Sequence, residues 1–281
     1  MSNKLETLAE DNKPNYYTYL QRMTASIAKS SKGLIAILLG DSMSALDVGC
    51  GSGVLIEAIS TINPNIRMVG IDINQAAVEE CCEKGIEAVH MGLHEYAKTG
   101  KKFDCVIFSS VLHEFSSYDE ERPFEEGPII EALEDAKKLL NPGGMIIIRD
   151  GVRAGKDWRK RNIKLQFKNP EDVAWIERFK KDFADYRREV LVDGVLTAED
   201  AKEFLYTFTW GEKSWPRETQ ERFGILTTER WKELVKNAGY YVSTTITSTE
   251  EYLKYIEKSV VVTPEIKALF EEATIVLVGK L

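Results

Sequence analysis

The chain has 281 residues, enough for one large domain or a core domain with an insertion. Its 43% hydrophobic and 29% charged content is that of an ordinary globular protein, and no apolar run approaches the roughly 18 residues of a membrane span. A formal net charge of −8 works against broad electrostatic binding to nucleic acid, although it leaves room for a local basic patch. Met1 to Pro14 is polar and lacks the apolar core of a signal peptide, so a cytoplasmic protein without membrane attachment is expected. None of the four cysteines, Cys50, Cys81, Cys82 and Cys105, has the C-x-x-C spacing of a zinc site. Reduced, mostly buried thiols and no metal are the expectation.

Residues 15–39 are predicted helical, with an apolar stripe near helical spacing supplied by Tyr16, Tyr17, Tyr19, Leu20, Met23 and Ile27. The chain then alternates. Strands are predicted at Ala45–Val48, Ile66–Ile71, Ile86–His90, Phe103–Phe108 and Met145–Ile148. Helices are predicted at Val54–Thr61, Gln75–Lys84, Leu93–Lys98 and Ile129–Leu140. Strands of nearly continuous Val and Ile, each followed by a helix, imply a parallel sheet covered on both faces. Residues 152–226 break the alternation: they are charged and aromatic, with helices expected at Trp158–Gln166, Pro170–Glu189 and Ala198–Tyr206 and no strand. Thr228–Ala238 is a further helix, with Thr228 as its N-cap and Gly239 ending it. Tyr240–Thr247 and Ala273–Gly279 are β-rich and suited to close the sheet.

The expected fold is therefore α/β: a doubly wound, mostly parallel seven-stranded sheet with an N-terminal helix and a largely helical insertion. The expected partition is an N-terminal helical segment at 1–43, a core formed by 44–151 and 227–281, and an insertion at 152–226 serving as an acceptor-binding lid.

The strongest local signal is Leu46-Asp47-Val48-Gly49-Cys50-Gly51-Ser52-Gly53, a glycine-rich turn between a strand and a helix. Glycines let the backbone turn tightly and approach a ligand closely, and the helix start behind them presents free N–H groups. The second strand ends Val69-Gly70-Ile71-Asp72-Ile73. Two roles are open to Asp72: accepting the hydroxyl protons of a ribose, or capping the helix that begins near Asn74.

The stretch from Leu46 to Gly53 resembles the first motif, D-x-G-x-G-x-G, of class I S-adenosylmethionine-dependent methyltransferases; a dinucleotide site would space its glycines as G-x-G-x-x-G. Phe103 to Phe115, with Val111-Leu112-His113 after the strand, is similar to the family's fourth motif in its small-molecule branch. Asn141-Pro142-Gly143-Gly144 is similar to the turn before its fifth strand. Together these motifs cover residues 44–150. The resemblance implies S-adenosylmethionine as cofactor and Asp47 near its methionine end. It implies Gly49, Cys50, Gly51 and Gly53 as the turn beneath it, and Asp72 with Ile73 at the ribose. It also implies Ser109 and Ser110 at the end of the fourth strand. The acid that the family often carries after its third strand is missing here. Gly92 and Leu93 could meet the adenine through their backbone, and His90 and His94 are either part of that site or surface residues.

Methyl transfer to oxygen or nitrogen needs alignment, exclusion of water and a base for the acceptor's proton. His113, following the fourth strand, is the first candidate for that base, with Glu114 and Asp150 as alternatives; Arg149 could orient an anionic acceptor. Arg149, Arg153, Lys156, Arg159, Lys160, Arg161, Lys164 and Lys168 form a basic run, which either faces a polyanion or is a solvated helix balanced by the acids between Glu171 and Asp185. Trp210 and Trp215 either wall an acceptor site or anchor the insertion to a core. A small-molecule acceptor is the favoured expectation. The alternatives are RNA or another polyanion as acceptor, and a non-catalytic protein that binds the cofactor as a sensor or assembly partner. The N-terminal helix and the insertion both offer aromatic surface for an oligomer.

Overall fold

The computed structural model describes residues 31–158, 161–185, 195–248 and 250–281. The N-terminal helix expected at 15–39 is seen only in its last part, α1 at Ser31–Leu38; the remainder lies outside the described residues, as do Arg159 and Lys160. No helix among the described residues is long and apolar enough to cross a membrane.

Strand β1 (Ser44–Val48) leads through the glycine turn into α2 (Val54–Ile62). Then follow β2 (Arg67–Asp72), α3 (Gln75–Glu83), β3 (Ala88–His90), α4 (Leu93–Ala97), β4 (Phe103–Ser109), α5 (Leu112–Ser117), α6 (Gly127–Lys138) and β5 (Leu140–Gly151). The expected sheet is present: seven strands in the order β3-β2-β1-β4-β5-β9-β8, closed by β8 (Tyr241–Ser248) and β9 (Thr274–Lys280). Strands β3, β2, β1, β4 and β5 pair in parallel. Strand order reverses between β1 and β4, so their carboxyl ends open the crevice where ligands bind in such sheets.

Burial explains the strand sequences. Every residue of β1 from Ala45 to Val48 is buried, as are Cys105 to Phe108 in β4. On one face Ala45, Cys105, Ile107, Ile147 and Val276 pack against Ile35, Leu39, Leu55 and Ile59 of the covering helices. Strands buried on both faces cannot alternate with polar residues, which is why they read as continuous apolar runs.

Several elements differ from the sequence reading. The Asn141–Gly144 turn lies inside β5, where the pairing with β4 slips from Phe103↔Leu140 to Cys105↔Met145, an irregularity made by Gly143 at φ 75°. The segment 112–117 is a helix, α5, too short to show a period. In the insertion a helix was expected across Trp158–Gln166, but β6 (Asn162–Lys164) lies there and pairs antiparallel with β7 (Val195–Thr197). Buried Ile163 and Leu165 alternate with exposed Lys164 and Gln166, a period of two hidden among basic residues. The helix expected from Pro170 is a 3-10 turn (Pro170–Val173) and α7 (Ala174–Asp182), which stops where Phe183 turns extended and stacks on Phe179 at 4.5 Å. Helix α8 (Ala198–Phe208) is as expected and is followed by the single turn α9 (Trp215–Glu218). Helix α10 (Thr228–Asn237) is capped by Thr227, whose hydroxyl accepts the Arg230 N–H at 3.3 Å, and not by Thr228, which bonds Glu272. Between β8 and β9 run α11 (Glu250–Ile256) and α12 (Pro264–Leu269).

The chain divides into two compact units. One comprises 1–150, 232–246 and 276–281; the other comprises 151–231 and 247–275. The second unit has its own core, in which Phe179, Phe204, Tyr206, Trp215 and Phe270 are fully buried. Trp215 donates to Asp182 at 2.9 Å and Trp210 packs against the same cluster, so both tryptophans anchor this unit's interior. The Tyr206 hydroxyl donates to the Ala273 carbonyl at 2.6 Å. Arg153 of the basic run is paired with Glu199, whereas Lys156, Arg161, Lys164 and Lys168 face solvent.

At the amino end of the sheet Asp104 joins three strands. One oxygen accepts from the backbone N–H groups of Met43 (2.9 Å) and Ser44 (3.0 Å), and the other accepts from the Asn141 amide at 2.8 Å. The Asn141 bond, with the backbone bonds, holds its carboxyl below the usual value of 3.8. A lowered folded-state pKa stabilises the fold above the unfolded value, and that contribution is lost as pH falls through the folded one. Urea midpoints should therefore decline below about pH 3.8, and the decline should be shallower in Asp104→Asn; identical acid limbs would contradict this role.

Candidate functional site

The site is built at the carboxyl ends of β1, β2, β4 and β5, all within the first unit. Asp47, the penultimate residue of β1, is 2% exposed. Burial pushes its carboxyl up to about 7; Lys32 opposes that shift and Asp72 adds to it. A buried carboxylate of this kind is suited to a cationic ligand group.

The turn after it requires its glycines. Gly49, Gly51 and Gly53 all have left-handed φ, at 69°, 53° and 78°. The N–H groups of Gly49 and Cys50 both donate to the Ile71 carbonyl, at 2.8 and 3.1 Å, which folds the turn against the end of β2. A Cβ on Gly49 would lie 2.5 Å from Val111 Cγ2, and one on Gly53 2.4 Å from Ile86 Cδ1. The turn is thus packed against the segment after β4 on one side and behind α3 on the other. Gly53 opens α2 with no side-chain cap.

Asp72 ties these parts together. One carboxylate oxygen accepts the Gly51 N–H at 2.8 Å and the other accepts the Asn74 N–H at 2.8 Å. The N-cap of α3 is Asn74, whose side chain accepts from Ala77, so capping is not the work of Asp72. An ionised carboxylate has about four acceptor positions, which leaves capacity for ligand hydroxyls.

After β3 the Met91 N–H donates to the Asp72 carbonyl at 3.0 Å, and Gly92 opens α4 in extended conformation. Ile73, Gly92 and Leu93 line a cavity of about 680 Å³ together with Phe115 and an acidic fringe that includes Glu95 and Glu131. His90 and His94 are exposed; the first bonds the Ile73 carbonyl at 2.8 Å and the second bonds Asp135 at 2.9 Å.

The end of β4 carries two serines. The Ser109 hydroxyl is buried without a hydrogen-bond partner, an orphan suited to a polar ligand atom. Ser110 is one of two non-glycine residues with left-handed φ among those described, at 58°. It is held there by its N–H donating to the Arg149 carbonyl at 2.6 Å and by the Arg149 guanidinium donating to its hydroxyl. Arg149 is itself buried.

Helix α5 then presents His113. Its backbone N–H donates to Asp150 Oδ2 at 3.1 Å, and its Nδ1 lies 2.7 Å from Asp150 Oδ1. Both side chains are almost fully buried, at 3% and 1% exposed. A carboxylate at Nδ1 favours the tautomer protonated there and makes Nε2 the basic nitrogen. Glu114 follows on α5, half-buried. Three contributors were not visible in the sequence: Lys32 beside Asp47, Val111 behind Gly49, and Lys84, which donates to the Ser52 carbonyl at 2.9 Å. Their only signal is spatial.

Because the folded pKa of Asp47 is raised, the folded state binds the extra proton between 3.8 and about 7. The ligand-free protein should lose stability as pH rises through that window, and Asp47→Asn should flatten the loss. Equal pH slopes of the urea midpoint in the two proteins would contradict the burial of this carboxyl.

With that geometry in place, comparison with known proteins adds a family. A methyltransferase-domain family model matches residues 39–239. An uncharacterized 37.1 kDa protein in transposon TN4556 of Streptomyces fradiae is 27% identical over 159 residues, covering 53% of this chain and 41% of that protein. The tRNA (carboxymethyluridine(34)-5-O)-methyltransferase ALKBH8 of Mus musculus is 28% identical over 102 residues, covering 36% of this chain and 14% of that protein. The chain thus spans less than half the length of these curated relatives. Among solved structures, the plantazolicin methyltransferase BamL, in complex with a triazolic desmethylPZN analog and SAH, aligns with a TM-score of 0.54 at 14% identity, covering 95% of this chain and 90% of that one. The glycine turn and the acid ending β2 fall within the matched region, and the chain belongs to the methyltransferase-domain family, with the fold of class I S-adenosylmethionine-dependent methyltransferases.

Proposed function

We propose that this protein transfers a methyl group from S-adenosylmethionine to an oxygen or nitrogen of a small-molecule acceptor. The observation that carries this reading is the preformed cradle at Gly49–Gly53, with buried Asp47 before it and Asp72 bonded to its Gly51 N–H. The residues fit the cofactor in kind: Asp47 suits the ammonium of its methionine end and Asp72 its ribose hydroxyls. Ile73, Gly92 and Leu93 offer a cavity wall for the adenine, and the orphaned Ser109 hydroxyl supplies a further polar contact. When bound, S-adenosylmethionine supplies a methyl group already activated on a sulfonium.

The protein's own contribution is to align the acceptor and receive its proton. His113 Nε2 takes a proton from an acceptor hydroxyl or ammonium, while Asp150 holds the ring and stabilises the imidazolium. Asp150 is thereby a positioning residue and not the base. The small-molecule assignment is supported by Ser109-Ser110-Val111-Leu112 standing where nucleobase enzymes carry an Asn/Asp-Pro-Pro-aromatic motif. BamL, of the same fold, was solved with a desmethylPZN analog. An RNA acceptor is the second reading, favoured by the ALKBH8 match and by exposed Lys156, Arg161 and Lys164. It requires RNA binding that weakens steeply with salt.

Calorimetric titration tests the cofactor. Saturable S-adenosylmethionine binding is expected, abolished in Gly51→Arg, whose side chain fills the turn; no binding by the wild type would sink the proposal. In assays of labelled methyl transfer to metabolite fractions, His113→Asn should lower turnover about 10²-fold or more with cofactor affinity unchanged. Asp150→Asn should also shift the pH profile of the remaining activity. Full activity in both variants would remove His113 as the base.

A further inference from the structure

The backbone of Gly51 is held at both its N–H and its carbonyl. Its N–H is held by Asp72, and its carbonyl accepts from two thiols: Cys81 of α3 at 3.2 Å and Cys50 of the turn at 3.6 Å. Two glycines make the room. A Cβ on Gly70 would lie 2.6 Å from the Cys50 sulfur, and one on Gly53 3.0 Å from the Cys81 sulfur. Both thiols are free and buried, while Cys82, the next residue of α3, is exposed. The neighbouring Cys50 thiol draws Cys81 below its usual pKa, with Lys84 assisting, while the Cys81 side chain and burial push Cys50 up. A thiolate that meets the peroxide, with a second cysteine beside it to resolve the sulfenic acid, is what sequential oxidation requires.

We propose that Cys50 and Cys81 form a redox pair beneath the cofactor turn, which a hydroperoxide converts to a disulfide that releases the Gly51 carbonyl and weakens cofactor binding. Cys81 ionises and its thiolate attacks a peroxide oxygen; the O–O bond breaks, Cys81 becomes a sulfenic acid, and the departing hydroxide takes up the proton Cys81 released and leaves as water. The Cys50 sulfur then attacks the Cys81 sulfur; the S–S bond forms, the S–O bond breaks and the hydroxyl leaves as water with the Cys50 proton. The pair loses two electrons and two protons, and hydrogen peroxide is reduced to two waters. The Gly51 carbonyl thereby loses both thiol donors, and the Gly51 backbone, which Asp72 holds at its N–H, shifts with the carbonyl. The effect on cofactor affinity rests on the proposed function; the crosslink itself does not.

The test treats the cofactor-free protein with hydrogen peroxide, maps its peptides without reduction, and titrates S-adenosylmethionine before treatment, after it, and after dithiothreitol. The expected result is a Cys50–Cys81 crosslinked peptide and an affinity lowered about tenfold or more, restored by the reductant. Saturating S-adenosylhomocysteine should slow the crosslink. Cys82→Ser should keep the response and Cys81→Ser should lose it. Oxidation confined to Cys82, or no Cys50–Cys81 peptide in the wild type, overturns the pair whether or not the variants fold. A crosslinked protein of unchanged affinity overturns the regulatory effect. Untreated protein that binds no cofactor, yet forms the crosslink, contradicts the function and leaves the pair standing.

Discussion

The bond between Asp72 and the Gly51 N–H is the constraint from which the candidate site follows. At 2.8 Å it is a charge-assisted contact between the end of β2 and a turn that only glycine can make. The same carboxylate holds the first amide before α3, so strand, turn and helix are fixed by one side chain. Val111 occupies the space that a Cβ on Gly49 would need, which registers the segment after β4 against this assembly. A site whose backbone is already held pays less ordering entropy when a ligand arrives.

The opposite rim is held by a different device. Where β4 and β5 end, Asp150 takes both the backbone and the ring of His113, and Arg149 takes both the backbone and the hydroxyl of Ser110. Each pair joins the end of β5 to the segment that follows β4 by a backbone and a side-chain contact at once. The left-handed φ of Ser110 shows that the chain accepts local strain to aim this rim. The two rims are therefore set independently by β1–β2 and β4–β5, and the register between β1 and β4 brings them together.

The parts legible in the sequence were those that demand unusual residue types. Three glycines at alternate positions after an apolar strand announce left-handed backbone, and an acid ending the next strand announces its partner. Continuous Val and Ile runs likewise betray strands buried on both faces. What could not be read depended on contacts between distant residues. The strand β6 was hidden because its alternation of Ile163 and Leu165 sits among basic residues that also suit a helix. The end of α7 is set by Phe183 stacking on Phe179, and the place of Asn141–Gly144 by a slip in pairing. In the sequence Asp150 is one candidate base among three, and only the geometry shows that it bonds His113. The two thiols under Gly51 come from a turn and a helix, so nothing in their spacing joins them.

A crystal structure of the protein with S-adenosylhomocysteine bound would show whether the Asp72-held turn is the cofactor site. Both ribose hydroxyls are expected on the Asp72 carboxylate, with the turn from Gly49 to Gly53 beneath the methionine end and the sulfur facing the His113 side of the crevice. A nucleoside bound elsewhere, or one whose ribose leaves Asp72 untouched, would contradict it.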